Sequence, residues 1–134
     1  MQTATVKWVT GEEFLATLPS GHTVHFEASS AHKTGPGPME MLLGALGACT
    51  SVDVVSILAK KRQKLDSLEV VISGERAKEP PEVWTKIELV FRLRGKLDEK
   101  AVRDAIELSQ TKYCSVAATL GKTAKISYRH EILP

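Results

Sequence analysis

The sequence contains little cysteine and no recognisable export signal. Only two of its 134 residues are cysteine, and the first residues lack the basic and apolar regions of a signal peptide. These absences argue against a disulfide framework and indicate a reducing compartment, so we expect a cytoplasmic protein. The two thiols are then free, buried, redox-active or catalytic, and the compartment alone does not choose among these.

An excess of charge of one sign is also lacking. The chain carries 18 basic and 16 acidic residues, a net charge of +2, and the basic residues are scattered. The only basic run, at 60–64, lies where a helix is expected to end, and cations there complement the helix dipole. The pattern therefore predicts no nucleic-acid partner.

Several site motifs are missing. Gly35-Pro36-Gly37-Pro38 has prolines where a phosphate loop needs backbone donors. His22 and His25 would face opposite sides of a predicted strand, and no Cys-x-x-Cys or His-Glu-x-x-His spacing occurs. Nothing resembles the turn that presents a nucleophilic serine in hydrolases. We therefore expect no metal and no bound cofactor, which leaves the thiols.

The composition that remains is that of one globular domain, 1–134. Hydrophobic residues make up 43% of the chain and charged residues 25%. The order of the patterns, strands then a long helix, two strands, helices and a last strand, predicts an α+β fold. The predicted strands lie at 3–9, 22–27, 68–77, 83–94 and 123–132, the predicted helices at 39–62, 99–112 and 116–120, and a loop at 28–38.

The opening strands predict an antiparallel meander of about three strands, with turns at 11–13 and 19–21. Pro38 suits the first turn of the long helix, and Asp98 is the predicted cap of the second helix, one face of which carries Ala101, Val102, Ala105, Ile106 and Ser109.

The central helix is the strongest element. Its first half, 41–49, is apolar on every face, but Glu40, Asp53 and the polar pair Thr50-Ser51 leave too few uninterrupted apolar residues for a membrane span. We therefore predict a buried core helix and no membrane partner. A single sheet covers only one face of a helix, so we expect the second cover to include a second subunit. The alternative is a monomer whose own C-terminal helices lie over the far side.

Each cysteine, taken alone, is typical of a small core residue. Two details favour chemistry instead. Cys114 lies at the predicted start of a short helix, where unpaired N–H groups favour the thiolate, whereas Cys49 lies about three turns inside its helix, so helix position predicts Cys114 as the more activated thiol. Cys49 is followed by Thr50 and Ser51 and, four residues on, by Asp53, so the apolar surroundings end at the thiol.

Two segments carry a family resemblance. Residues 35–50 (GPGPMEMLLGALGACT) are similar to the first signature of the OsmC/Ohr family, and residues 112–116 (KYCSV) resemble the second. The order of elements around them also fits, and the chain looks like a less characterised OsmC-like branch. The resemblance implies antiparallel sheets packed around a long buried central helix, in an intertwined homodimer.

The resemblance also implies a thiol peroxidase that reduces organic hydroperoxides, with hydrogen peroxide as a further candidate substrate. In that scheme Cys49 matches the attacking cysteine, which becomes a sulfenic acid, and Cys114 matches the resolving cysteine, which closes a disulfide. A dithiol reductant, lipoyl-type in the best-known branch, regenerates the thiols without a metal, haem or flavin.

The charged groups that support the thiolate in the family are only partly matched. The family's N-terminal arginine has no counterpart, since no arginine precedes Arg62, and Lys7 is the only basic residue in the first strand. The family's glutamate position is occupied by Met39, with Glu40 one place later. Glu40 and Lys7 are therefore the possible supporting residues, and the later arginines at 76, 92 and 94 are possible substitutes for the missing cation.

Two further hypotheses stay open at this point. The first is a non-enzymatic dimeric thiol protein, redox-responsive or binding a small ligand on the same scaffold. The second is a structural dimer whose cysteines belong to the core.

Overall fold

The computed structural model describes all 134 residues, which form two compact units, Met1–Leu42 and Leu43–Pro134. The prediction of one domain over 1–134 stays a prediction. The first unit holds strands β1 (Thr5–Thr10), β2 (Glu13–Thr17) and β3 (Thr23–Glu27) and the first turn of helix α1 (Pro38–Lys60). The second unit continues α1 and holds strands β4 (Lys64–Arg76), β5 (Trp84–Lys96) and β6 (Lys125–Ile132), helices α2 (Glu99–Leu108) and α3 (Ser115–Leu120), and a π-helical turn at Ser109–Tyr113. The predicted α+β class is confirmed.

The first unit opens with an antiparallel meander. β1 pairs with β2 and β2 with β3, and the turns contain Gly11 and Gly21 at positive φ values of 51° and 90°. Glycine adopts these conformations without a Cβ clash. All six residues of β1 are exposed, among them Val6, Trp8 and Val9. The other strands of the first unit therefore leave these apolar side chains uncovered.

A buried carboxylate organises the predicted loop that leads into α1. Glu27, which is 7% exposed, accepts hydrogen bonds from the hydroxyls of Ser29 and Thr34 and from the backbone N–H groups of Lys33 and Thr34. These hydrogen bonds lower the pKa of Glu27 from 4.5 to about 2, and the bond from the Ser29 hydroxyl has the largest effect. The loop is therefore held around a negative charge.

Helix α1 buries one stripe of side chains. Leu46, Val54 and Leu58 have no exposed surface, and Gly47 lies so close to the sheet that a Cβ there would stand 2.6 Å from Cδ1 of Ile72. The sequence predicted a helix buried on every face. Within one chain only the sheet-facing stripe is covered, because one sheet covers one side of a helix.

By length and composition alone, α1 also qualifies as a membrane-crossing helix. Its 23 residues contain an 18-residue window of mean hydropathy 1.9, of which 28% is buried. The core helix of a soluble protein meets the same criterion, so this is weak evidence for a span. The contact of the buried stripe with the sheet of the second unit is the reason for treating α1 as a core helix.

The sheet of the second unit is mixed. Strands β4 and β5 form a long antiparallel hairpin, and β6 pairs with the other edge of β5. β6 runs parallel to β5, with Ile87 opposite Ile126 and Phe91 opposite His130. The expectation of antiparallel sheets is therefore wrong for this pair. The chain passes through α2 and α3 between the two strands, and a helical crossover of this kind returns the next strand in the parallel direction.

Helix α2 begins at the predicted cap, where the Asp98 carboxylate accepts the N–H of Ala101 at 3.1 Å. Its predicted apolar stripe, which continues to Ser109, is buried. The helix was predicted to run to 112, but it widens after Leu108 into the π-helical turn, in which the N–H of Cys114 donates to the carbonyl of Ser109 at 2.7 Å. Cys114 directly follows this turn and lies at the start of α3.

The hydrogen-bonded carboxylate of Glu27 should make the stability of the protein depend on pH. Because folding lowers the pKa of Glu27 from 4.5 to about 2, its contribution to stability is complete above pH 4.5 and is lost as the pH falls toward 2. We expect Glu27→Gln to be less stable than the parent near pH 6 and to show a weaker fall in stability between pH 5 and pH 3. Urea denaturation at several pH values measures both effects. Glu12→Gln, at an exposed position of the same unit, is the control. A slope unchanged by Glu27→Gln would contradict the assignment.

Candidate functional site

The structure brings the two cysteines together. Cys49 lies about three turns inside α1 and is partly exposed, whereas Cys114 begins α3 and is 3% exposed. Cys49 is near enough to Cys114 to contribute to the raised pKa of its thiol, and both are free thiols. One partly exposed and one buried thiol as neighbours are placed for thiol–disulfide chemistry.

Two effects act in opposite directions on the Cys114 thiol. Cys114 is the N-cap of α3, and its Sγ accepts the N–H of Ala117 at 3.4 Å, which favours the thiolate as the sequence suggested. Burial is the larger effect, and with the neighbouring Cys49 and Asp53 it raises the pKa of Cys114 from 9.0 to about 11. The inference from the sequence that Cys114 is the more activated thiol is therefore wrong, because it left out the burial of the helix end.

A buried hydrogen-bonded cluster lies beside the thiols. The Oγ1 of Thr50 and the Oγ of Ser109, both in fully buried residues, are 2.7 Å apart. Ser109 Oγ donates to Asp53 Oδ2 at 2.8 Å, and Gln110 Nε2 donates to Thr50 Oγ1 at 2.9 Å. Thr50 directly follows Cys49, so the cluster joins the helix of one cysteine to the turn before the other.

Reasoning from the sequence did not select Ser109 and Gln110. The available signal was the place of Ser109 in the buried stripe of α2, where four apolar residues precede it. A hydroxyl on such a stripe needs a partner, and here the partners come from α1.

Known proteins are similar to this chain over most of its length. A family model described as OsmC-like protein matches residues 31–129. Protein YhfA of Escherichia coli K12 is 44% identical over 131 residues, which cover 97% of this chain and 97% of that protein. The chain belongs to the OsmC-like family.

Solved structures of the OsmC-like family share the fold. An OsmC-like protein from Mycoplasma pneumoniae superposes with a TM-score of 0.86 at 18% identity, covering 100% of this chain and 98% of that one. A Legionella pneumophila protein described as an organic hydroperoxide resistance protein OsmC superposes with a TM-score of 0.74 at 9% identity, covering 98% and 96%. At these identities the likeness concerns the fold alone, and the predicted OsmC-like fold is confirmed.

The three arginines considered as substitute cations are engaged on or beside the sheet. Arg92 and Arg94 alternate with the buried residues of β5 and so lie on the outer face, where Arg92 pairs with Glu69 and Glu131 and Arg94 donates to the Pro134 carbonyl.

Arg76 donates to the Glu82 carbonyl at 2.8 Å and lies 5.8 Å from the centroid of the Trp84 ring. None of these contacts of the three arginines involves a thiol.

The two possible supporting residues belong to the first unit. Glu40 Oε1 accepts the N–H of Gly37 at 3.2 Å, so its carboxylate caps the start of α1. Lys7 is exposed on β1, opposite Leu15. Their roles in thiol chemistry stay predictions.

A cleft opens beside the cluster in the second unit. It has a volume of about 370 Å³ and is lined by side chains of α1 and of the segment from α2 into the π-helical turn. Ile57, Leu108 and Tyr113 give it apolar walls, while Lys60 and Lys61 add positive charge and Asp53 a negative one. Its size and lining suit a small amphipathic molecule. No group of three histidine, cysteine or acidic side chains is arranged to hold a metal ion.

The unequal surroundings of the thiols predict unequal alkylation. At pH 7 a thiol with a pKa near 11 is ionised in only about one molecule in ten thousand. We therefore expect Cys114→Ser, which keeps the partly exposed Cys49, to react with iodoacetamide at least about tenfold faster than Cys49→Ser. The rate of Cys49→Ser should still be rising at pH 10, because the pKa of Cys114 is set chiefly by burial. Mass spectrometry follows both reactions. Faster alkylation of Cys49→Ser at pH 7 would show that the helix N-terminus outweighs burial.

Proposed function

We propose that this OsmC-like protein is a cytoplasmic thiol peroxidase that reduces organic hydroperoxides. The observation that carries the proposal is the proximity of the partly exposed Cys49 to the buried Cys114. A partly exposed thiol is accessible to a peroxide, and a buried thiol beside it is placed to close a disulfide. The Legionella protein of the same fold is described by its resistance to organic hydroperoxides, which supports this substrate class.

In the proposed reaction the Cys49 thiolate attacks the terminal oxygen of the peroxide. The O–O bond breaks, the alkoxide takes a proton and leaves as an alcohol, and Cys49 becomes a sulfenic acid. The Cys114 sulfur then bonds to the Cys49 sulfur. The S–O bond breaks, and water leaves with the proton of the Cys114 thiol. An external dithiol, of which a lipoyl-type compound is the candidate, reduces the disulfide by exchange and is itself oxidised to a disulfide.

The raised pKa of Cys114 supports this division of roles. A thiol that is almost entirely protonated at neutral pH is a poor attacking group toward peroxide, because the thiolate is the nucleophile. Once Cys49 is a sulfenic acid, the proximity of the two side chains compensates for the low thiolate fraction, since the resolving step is intramolecular.

The cleft favours a second candidate function, a non-enzymatic thiol protein that binds a small ligand. Its apolar walls and two lysines suit an amphipathic anion, and Asp53 connects it to the cluster beside the thiols. In this case the cysteines would oxidise slowly and without turnover. Peroxide turnover separates the two functions.

We also propose a homodimer, with a second copy of the chain seated on the uncovered face of α1. This face is a stripe of small and β-branched residues at helical spacing: Gly44, Ala48, Val52, Val55 and Ala59. All are exposed in one chain, Val52 by 68% and Val55 by 48%. A surface of this kind needs an apolar cover, and the small residues allow two helices to approach closely. The intertwined homodimer that the family resemblance implies supplies that cover.

The peroxidase proposal predicts distinct failures for the two cysteine variants. With cumene hydroperoxide and a dithiol, the parent should consume peroxide continuously and Cys49→Ser should fall to the rate of the dithiol alone. Cys114→Ser should still form a sulfenic acid at Cys49, which dimedone traps, but it should form no intramolecular disulfide. Peroxide consumption and mass spectrometry of the trapped protein measure these outcomes.

The double variant Cys49→Ser/Cys114→Ser is the matched control for background reduction. Parent rates no faster than those of a free thiol, with cumene hydroperoxide and with hydrogen peroxide, would contradict the enzymatic proposal and favour the ligand-binding one.

The dimer proposal predicts that charge on the uncovered stripe separates the subunits. Glutamate at both Val52 and Val55 would be buried without a partner in the dimer, and we expect the dissociation constant to rise at least about a hundredfold. Glutamate is a good helix former, so the fold of each chain should be retained. Light scattering coupled to gel filtration measures the mass. Val71→Glu, at an exposed valine of β4, is the control. A parent protein that is monomeric would overturn the proposal.

A further inference from the structure

Ser109 contacts both elements that carry the cysteines. Its side chain is fully buried and is bonded to Thr50 and Asp53 of α1, next to and one turn beyond Cys49. Its carbonyl oxygen accepts the backbone N–H of Cys114 at 2.7 Å. One residue therefore ties the Cys49 helix to the backbone of Cys114.

The hydrogen bonds around Ser109 run in one direction. A serine hydroxyl has a single proton, and that of Ser109 is donated to Asp53. Thr50 is therefore the donor in its 2.7 Å contact with Ser109, and its own oxygen accepts from Gln110. The chain from Gln110 through Thr50 and Ser109 ends on a carboxylate, so its last bond is charge-assisted, and consecutive bonds of this kind strengthen one another.

The backbone at Ser109 is fixed as well. Its N–H donates to the carbonyls of Ala105 and Ile106 at the end of α2, and its carbonyl closes the π-helical turn on Cys114. Such turns insert one extra residue into a helix and are frequent at functional sites. Here the extra residue sets where α3 begins, and hence where the Cys114 sulfur lies relative to α1.

We propose that Ser109 is a positioning residue for the resolving step, in which its bonds to Thr50 and Asp53 hold Cys114 in line with the Cys49 sulfur. The identity of that step rests on the proposed peroxidase function. In it the bond from the Cys114 sulfur to the Cys49 sulfur forms, the S–O bond of the sulfenic acid breaks, and water leaves with the Cys114 proton. The first step, attack on peroxide by Cys49, does not use Ser109.

The test separates the two steps in Ser109→Ala. After one equivalent of cumene hydroperoxide, we expect sulfenic acid to form at the parent rate within about twofold, and the disulfide to form at least about tenfold more slowly. With excess peroxide, the delayed sulfenic acid should accumulate as sulfinic acid at Cys49. Stopped-flow mixing with dimedone trapping and mass spectrometry follows all three species.

Thr111→Ala is the matched control, since Thr111 lies in the same turn but its hydroxyl donates only to the Glu107 carbonyl on the exposed side. Thr50→Val and Thr50→Ser form a second pair. Valine removes the hydroxyl with little change of shape, while serine keeps it, so valine should slow disulfide formation and serine should restore it. This pair decides the question if Ser109→Ala does not fold.

A second measurement does not depend on peroxide chemistry. Equilibration with mixtures of oxidised and reduced dithiothreitol gives the stability of the Cys49–Cys114 disulfide. We expect that equilibrium constant to fall at least about tenfold in Ser109→Ala and to stay unchanged in Thr111→Ala.

The two measurements distinguish a failure of the peroxidase proposal from a failure of the positioning role of Ser109. If the parent forms the disulfide in exchange but does not reduce peroxide, the peroxidase function is overturned. The positioning role of Ser109 is then judged from the exchange equilibrium of Ser109→Ala alone. Ser109→Ala and Thr50→Val that match the parent in exchange, or that slow both peroxide steps equally, would overturn the positioning role.

Discussion

The structure of the second unit depends on the packing of one stripe of α1 against its sheet. Leu46, Val54 and Leu58 are fully buried there, and Gly47 lets the helix approach Ile72. Thr50 lies on the same stripe, which is why a hydroxyl of α1 is buried and has to find partners in the segment that follows α2. Burial of this stripe thus fixes the position of Cys49, and it leaves the opposite stripe of an apolar helix without a cover.

The two thiols differ because one fold gives them opposite surroundings. Cys49 lies on the flank of α1, between the buried and the uncovered stripes, and is partly exposed. Cys114 is at a helix N-terminus, which favours a thiolate. Burial there destabilises the thiolate more than the N–H of Ala117 stabilises it, so the pKa of the thiol is raised. A buried thiol kept protonated next to an accessible one is suited to a reaction with a defined order, since the second sulfur becomes useful only after the first has been oxidised.

Local signals in the sequence predicted much of the fold. The proline that opens α1, the Asp98 cap, the glycine turns of the meander and the period-two pattern of β4 and β5 each act within a few residues. The parallel direction of β6, the π-helical turn and the contact of Thr50 with Ser109 could not be predicted in this way. They follow from crossover geometry and from contacts between distant segments, which no periodic pattern reports. The burial of Cys114 likewise comes from packing around the helix end rather than from its sequence.

The uncovered stripe of α1 adjoins Cys49. Ala48 lies on the stripe and is followed directly by Cys49, so whatever covers the stripe also forms part of the wall around the thiol. The arginines of the second unit that were candidate cations are engaged with Glu69, Glu131, the Glu82 and Pro134 carbonyls and the Trp84 ring. None of these arginine contacts places a cation at Cys49. In the proposed homodimer, a second copy seated on α1 would bring its own charged groups to that wall, so the proposed subunit contact would border the proposed peroxidase site as well as cover the helix.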